Sequence, residues 1–122
     1  MPKKVLVVDD SEMVRSIHSF IFKSVGYEVI EAANGYEALE KLYQSEIDLI
    51  ATDVNMPKMD GIELVRNIRK EDKYKDIPII IISTESEAKD KQVGFNAGAN
   101  IYIVKPVKEE HLIMNAKMLL HE

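Results

Sequence analysis

The chain contains no cysteine. That absence excludes a disulfide scaffold, a thiol nucleophile and a thiolate metal site, and it fits a reducing compartment. A basic stripe is also missing. The formal net charge is −5, whereas proteins that grip nucleic acid through its phosphates cluster Lys and Arg, so no direct nucleic-acid binding is expected. Glycine is scarce, with 5 residues in all. Neither GxGxxG nor GxxxxGK followed by Ser or Thr occurs, so no glycine-rich loop cradles a nucleotide phosphate. The N-terminus runs Met1-Pro2-Lys3-Lys4 into a short apolar stretch that ends in two acids. That pattern suits neither a signal peptide nor a spanning helix, so the expected setting is the cytoplasm, with no membrane attachment.

At 122 residues, with 46% hydrophobic and 30% charged residues, the chain has the size and composition of one folded domain, residues 1–122. A domain of this size buries roughly two thirds of its unfolded surface, enough for one core without covalent staples. Two patterns alternate along it. Val5-Leu6-Val7-Val8, Ile47 to Thr52, Ile79-Ile80-Ile81-Ile82 and Ile101-Tyr102-Ile103-Val104 are short apolar runs, as expected of strands buried on both faces. Tyr27-Glu28-Val29-Ile30-Glu31 is more polar and reads as an edge strand. Between these runs lie amphipathic stretches. Val14, Ile17, Ile21 and Val25 share the face of a first helix, which Gly26 stops. Asn34 caps a second helix through Ala38, Leu39 and Leu42, and Asp60 caps a third through Leu64, Val65 and Ile68. Leu112, Ala116, Leu119 and Leu120 mark the last. Glu85 to Asn96 is the weakest helix, with few apolar positions and Gly94 inside it.

Five strand–helix units imply a three-layer α/β fold, a parallel sheet with helices on both faces and right-handed crossovers. Five such units suggest the strand order 2-1-3-4-5. Asp9 and Asp10 then follow strand 1, Asp53 strand 3, Ser83 strand 4 and Lys105 strand 5. In an open parallel sheet the ligand crevice lies at the carboxyl ends of the strands, so all five groups converge on one rim.

Three carboxylates at one place need a counter-charge. At about 5 Å and an effective dielectric near 20, each pair repels by roughly 3 kcal/mol before screening. A hard divalent cation such as Mg²⁺ cancels this while taking oxygen ligands from carboxylates, water and phosphate. With Lys105 sharing the charge and Ser83 offering a hydroxyl, the set suits phosphoryl transfer onto an aspartate. Taken singly, each residue has a plainer reading. Asp10-Ser11 suits a helix cap, Asp53 a turn before Pro57, Ser83 a strand end, Lys105-Pro106 a turn, and Tyr102 a strand aromatic. His18, His111 and His121 lack metal-ligand spacing and are expected to be solvated or internally satisfied. The plain readings fail jointly, because chance does not readily bring five such groups to one rim.

Val5-Leu6-Val7-Val8-Asp9-Asp10-Ser11, Asp53-Val54-Asn55-Met56-Pro57 with Asp60-Gly61, Ile82-Ser83 and Lys105-Pro106 together resemble the receiver domain of two-component response regulators, with a flavodoxin-like, chemotaxis-receiver fold. The resemblance spans essentially the whole chain. It implies Asp53 as phosphoacceptor, and Asp10, Asp53 and the backbone carbonyl of Asn55 as Mg²⁺ ligands, with Asp9 acting through water. It also implies Ser83 as switch hydroxyl, Lys105 as phosphate-pairing lysine, Tyr102 as switch aromatic and a cis Lys105-Pro106 bond. Asn55, Thr84 and Glu85 flank the site and bear on access and kinetics. Thr84 stands where many receivers have alanine or glycine, and Ser83 where threonine is commoner. The implied partners are a histidine kinase and a downstream protein that reads the surface of the fourth helix, fifth strand and fifth helix. No output domain is expected, nor any activity beyond the chain's own phosphorylation and dephosphorylation. Asn55 and Glu85 tilt the reading toward chemotaxis output. The alternatives are an intermediate phosphotransfer relay or a receiver fragment of a larger regulator. A flavin-binding protein is disfavoured because Asp9-Asp10 would repel a bare phosphate. An aspartyl-phosphate hydrolase is disfavoured because Asn55 stands where its second carboxylate would be.

Overall fold

The computed structural model describes residues 2–122; Met1, the first residue of the expected domain, lies outside the described residues. Five strands, β1 (Lys4–Val8), β2 (Glu28–Ala32), β3 (Leu49–Thr52), β4 (Ile79–Ser83) and β5 (Ile101–Val104), alternate with five helices, α1 (Glu12–Ser24), α2 (Gly35–Gln44), α3 (Gly61–Arg69), α4 (Ala88–Ala97) and α5 (Glu109–Leu119). All pairings are parallel, in the order β2-β1-β3-β4-β5. The expected three-layer fold and strand order are therefore observed.

Alternation along each strand divides the core between the two sheet faces. Leu6, Val8, Ile50, Ile79 and Ile81 meet Ala38, Leu42, Leu64, Val65, Ile68 and Ala97 of α2, α3 and α4. Val5, Val7, Leu49, Ile80 and Ile82 meet Ile21, Phe22, Leu112 and Ala116 of α1 and α5. The continuous apolar strands follow from this double coverage. β2, at an edge, keeps its polar Glu28 exposed.

The expected caps form. Asn34 Oδ1 accepts from the Glu37 amide at 2.9 Å and Asp60 Oδ1 from the Glu63 amide at 2.8 Å. Three details differ. Strand β3 begins at Leu49 rather than Ile47. The fourth helix begins at Ala88 rather than Glu85, because Glu87 forms a reciprocal capping box with Asp90 and leaves residues 84–87 as a loop. In α1 the inward face is His18, Ser19, Ile21 and Phe22, while Ile17 is 52% exposed. The helix rolls a small inward set and an aromatic onto β1 and β2, and Ile17 falls outside that arc.

Candidate functional site

The rim residues are delivered by main-chain bonds at the strand ends. The Asp53 amide donates to Val8 O at 2.9 Å, which ties the end of β3 to the end of β1. Thr52 Oγ1 donates to Asp53 O at 3.0 Å. The Gly61 amide donates to Val54 O at 2.8 Å. A Cβ at Gly61 would lie 1.9 Å from Asp53 O, so only glycine permits the start of α3 to abut this strand end. Ser11 caps α1 through Val14 and Asp9 Oδ1 accepts from the Ser11 amide at 2.9 Å, so the acid pair sits in a tight turn between β1 and α1.

Asp9, Asp10 and Asp53 each offer a carboxylate oxygen, and these lie within 4.8 Å of one another. Lys105 reaches across from the end of β5. Its Nζ is 2.9 Å from Asp9 Oδ2 and 3.4 Å from Asp53 Oδ1. Asp9 and Asp53 are buried and Asp10 is exposed. Three negative charges against one ammonium leave a formal charge of −2 on a set of hard oxygens, which suits a divalent cation such as Mg²⁺.

The two buried acids differ in their free valence. Asp9 has both oxygens engaged, one by Ser11 and one by Lys105. Asp53 has only Oδ1 engaged, by the Val54 amide at 2.8 Å and by Lys105. Oδ2 of Asp53 receives no hydrogen bond among the described residues and is therefore the oxygen available for chemistry. Burial pushes the Asp53 carboxyl above its ordinary value, Lys105 pulls it down, Asp9 pushes it up and the Val54 amide pulls it down; the net shift is upward.

Ser83, Tyr102 and Asn55 each form a hydrogen bond with Glu85. Ser83, fully buried at the end of β4, accepts from the Glu85 amide at 3.1 Å. That leaves its own hydroxyl hydrogen to donate. Tyr102 is half-buried, with its hydroxyl donating to Glu85 O at 2.8 Å. Burial raises the phenol's pKa. Asn55 Nδ2 donates to Glu85 Oε1 at 3.1 Å and thereby links the loops after β3 and β4. Thr84 is exposed and lines a cavity of about 360 Å³ with Val14, Ile17, His18, Lys105, Pro106 and Val107. The Lys105-Pro106 bond is cis, as expected.

Two residues near the site, Arg15 and Glu31, went unrecognised in the sequence, and His18, expected to be solvated or internally satisfied, lies beside it. Arg15 donates from Nη1 to Asp9 O at 2.8 Å and from Nε to Glu31 Oε1 at 2.9 Å. His18 is buried; burial and then Lys105 hold its pKa below the ordinary value, with Asp9 opposing. The one available signal was position: charged or polar residues at 15 and 18 stand one and two helical turns from the acid pair.

Residues 5–117 match the family described as response regulator receiver domain. Over 119 residues the chain is 41% identical to the chemotaxis protein CheY1 of Helicobacter pylori, covering 96% of this chain and 96% of that protein. It is similar to the chemotaxis protein CheY4 of Vibrio cholerae, with a TM-score of 0.93 and 41% identity over 98% of this chain and 100% of that one. It is also similar to the receiver domain of a sensor histidine kinase from Pseudomonas aeruginosa, with a TM-score of 0.92 and 25% identity over 100% of both chains. That structure has a magnesium ion coordinated in its active site cleft. Among the described residues of the present chain, no helix is long and apolar enough to cross a membrane.

Proposed function

Because the chain belongs to the response regulator receiver family of two-component signalling, we propose that it is a chemotaxis-type regulator that accepts a phosphoryl group on Asp53 from a histidine kinase. The observation that carries this reading is the Lys105 ammonium set between Asp9 and Asp53 within a three-carboxylate cluster. In the proposed reaction Oδ2 of Asp53 attacks phosphorus. A P–O bond forms as the P–N bond of a phosphohistidine breaks, and its electron pair returns to the leaving imidazole. Lys105 pairs with one phosphoryl oxygen and Ser83 donates its hydroxyl hydrogen to another. Water later cleaves the acyl phosphate, releasing phosphate and restoring Asp53. These two steps are the chain's only chemistry, so it is not a conventional enzyme.

Asp10, Asp53 and the Asn55 carbonyl would hold Mg²⁺ directly. Asp9 would act through water. When bound, Mg²⁺ supplies a hard positive charge that draws negative charge from the phosphoryl oxygens. Thr84 and the Asn55–Glu85 pair border the entrance and govern access and lifetime. Output runs through Ser83 and Tyr102, both bonded to the main chain of Glu85, to a partner protein reading α4, β5 and α5 in the cytoplasm.

Intact-mass spectrometry tests the reading. With acetyl phosphate and Mg²⁺ the protein should gain one phosphoryl group, which EDTA or Asp53→Asn abolishes. Full labelling of Asp53→Asn would sink it.

A further inference from the structure

Asp10 differs from the other two acids of the cluster in that no hydrogen bond aims it. Its carboxylate is exposed and, among the described residues, accepts from no donor. Its direction is therefore set by the peptide that joins it to Asp9. That peptide is held firmly. The Asp9 amide donates to Ala32 O at 3.2 Å, the Asp9 carboxylate is fixed by Ser11 and Lys105, and the Asp9 carbonyl, which belongs to the Asp9–Asp10 peptide itself, accepts from Arg15 Nη1 at 2.8 Å.

Arg15 is in turn oriented. Its Nε lies 2.9 Å from Glu31 Oε1 on β2, and its side chain is 17% exposed against 36% for Glu31. A guanidinium offers donors in a fixed planar fork, so engaging Nε at Glu31 dictates where Nη1 points. A lysine keeps the charge but cannot serve both acceptors in fixed directions.

We propose that Arg15, held by Glu31, is a positioning residue that sets the plane of the Asp9–Asp10 peptide and thereby aims the Asp10 carboxylate into the metal site. The inference rests on the Mg²⁺ reading above and adds two residues, on α1 and β2, to the machinery of the site. It makes a prediction of opposite sign to simple electrostatics. Deleting a cation near a Mg²⁺ site removes repulsion and should tighten binding. Losing the orientation of a ligand should weaken it.

The test is Mg²⁺ titration of the full chain at fixed ionic strength, followed by amide chemical shifts in wild type, Arg15→Ala, Arg15→Lys and Glu31→Ala. Arg15→Ala should raise Kd about tenfold, the lower end of the losses seen when supports of metal ligands are removed. Arg15→Lys should do nearly the same, and Glu31→Ala should raise Kd by a smaller factor. In EDTA the amides of Asp10 and Ser11 should shift, while those of Asp53 and Lys105 stay in place. A Kd for folded Arg15→Ala equal to or below that of wild type would overturn the proposal. So would full recovery in Arg15→Lys, which would reduce the role to charge. If Arg15→Ala does not fold, an unchanged Kd in Glu31→Ala overturns it equally. Absence of Mg²⁺ binding by wild type would instead remove the metal reading, and this inference with it.

Discussion

Helices α3 and α4 are neighbours on one face of the sheet, and each follows a loop that carries part of the site. They are secured very differently. The nine residues of α3 bury Leu64, Val65 and Ile68, and its first turn is capped by Asp60. At its far end Arg69 donates to Gly98 O, Tyr74 O and Asn100 Oδ1 at 3.0, 2.9 and 2.9 Å. Each large apolar side chain of that kind contributes about 1.5–3 kcal/mol on burial. The ten residues of α4 bury only Gly94 and Ala97, and leave Val93 and Phe95 exposed. The loop before α3 carries Asp53, the proposed phosphoacceptor. The loop before α4 carries Glu85, to which Ser83 and Tyr102, the residues of the proposed output, are bonded. The contrast divides the site into a fixed half and an adjustable half.

The contrast should be visible in stability. Ile68→Ala should cost roughly 2–5 kcal/mol in urea denaturation, as for other large-to-small changes in a packed core. Phe95→Ala on α4 should stay within about 0.5 kcal/mol. Comparable losses would erase the distinction.

The two glycines sharpen it. Gly61→Ala places a methyl 1.9 Å from the Asp53 carbonyl oxygen, a clash with main chain that cannot rotate away. It should cost about 3 kcal/mol, the upper end of overpacking, and slow labelling of Asp53. In Gly94→Ala the methyl lies 3.0 Å from Ile81 Cδ1 and Tyr102 Cδ2, both side-chain atoms. A helix gains up to about 1 kcal/mol from replacing glycine by alanine, so the net stability change should be near zero. The Tyr102 ring resonances should nevertheless shift. If Gly61→Ala labels normally, the fixed half is not fixed.

A further effect concerns charge on the anchored side. Asp53→Asn should be more stable than wild type in EDTA by roughly 1–3 kcal/mol, because one of three mutually repelling carboxylates is gone. Burial raises the folded-state pKa of Asp53 above its ordinary 3.8, so protonation favours the folded protein. The advantage of the variant should therefore be full at neutral pH and shrink as pH falls through the raised value toward 3.8. Melting curves at several pH values decide it; an advantage that grew on acidification would contradict the sign.

How far the sequence reached follows the same division. Apolar runs announced β1, β3, β4 and β5, because double coverage of a parallel sheet leaves no polar alternation to confuse them. Five rim residues were legible because each lies at or just after the end of a strand, and the strand order then brings them together. Helix spacing misplaced Ile17, since an apolar residue at the right interval can still fall outside the arc a helix turns inward. The start of α4 was misjudged because its cap is Glu87, paired with Asp90, in a helix with almost no apolar face. Arg15 and Glu31 were invisible for a different reason. Their contact joins residues 16 apart, through a side chain whose geometry no periodicity encodes.

The Lys105 ammonium, lodged between Asp9 and Asp53, is in effect a ligand the protein cannot lose. Tethered to β5, it is present at a high effective concentration, so any free cation entering the cluster competes with a resident one for the same carboxylates. That competition sets a ceiling on how tightly a free cation can be held. New negative charge delivered to Asp53 would give the ammonium an acceptor of its own and relax the competition. Occupancy by metal and by an anionic modification would then be coupled with the same sign, each strengthening the other by an equal factor at equilibrium.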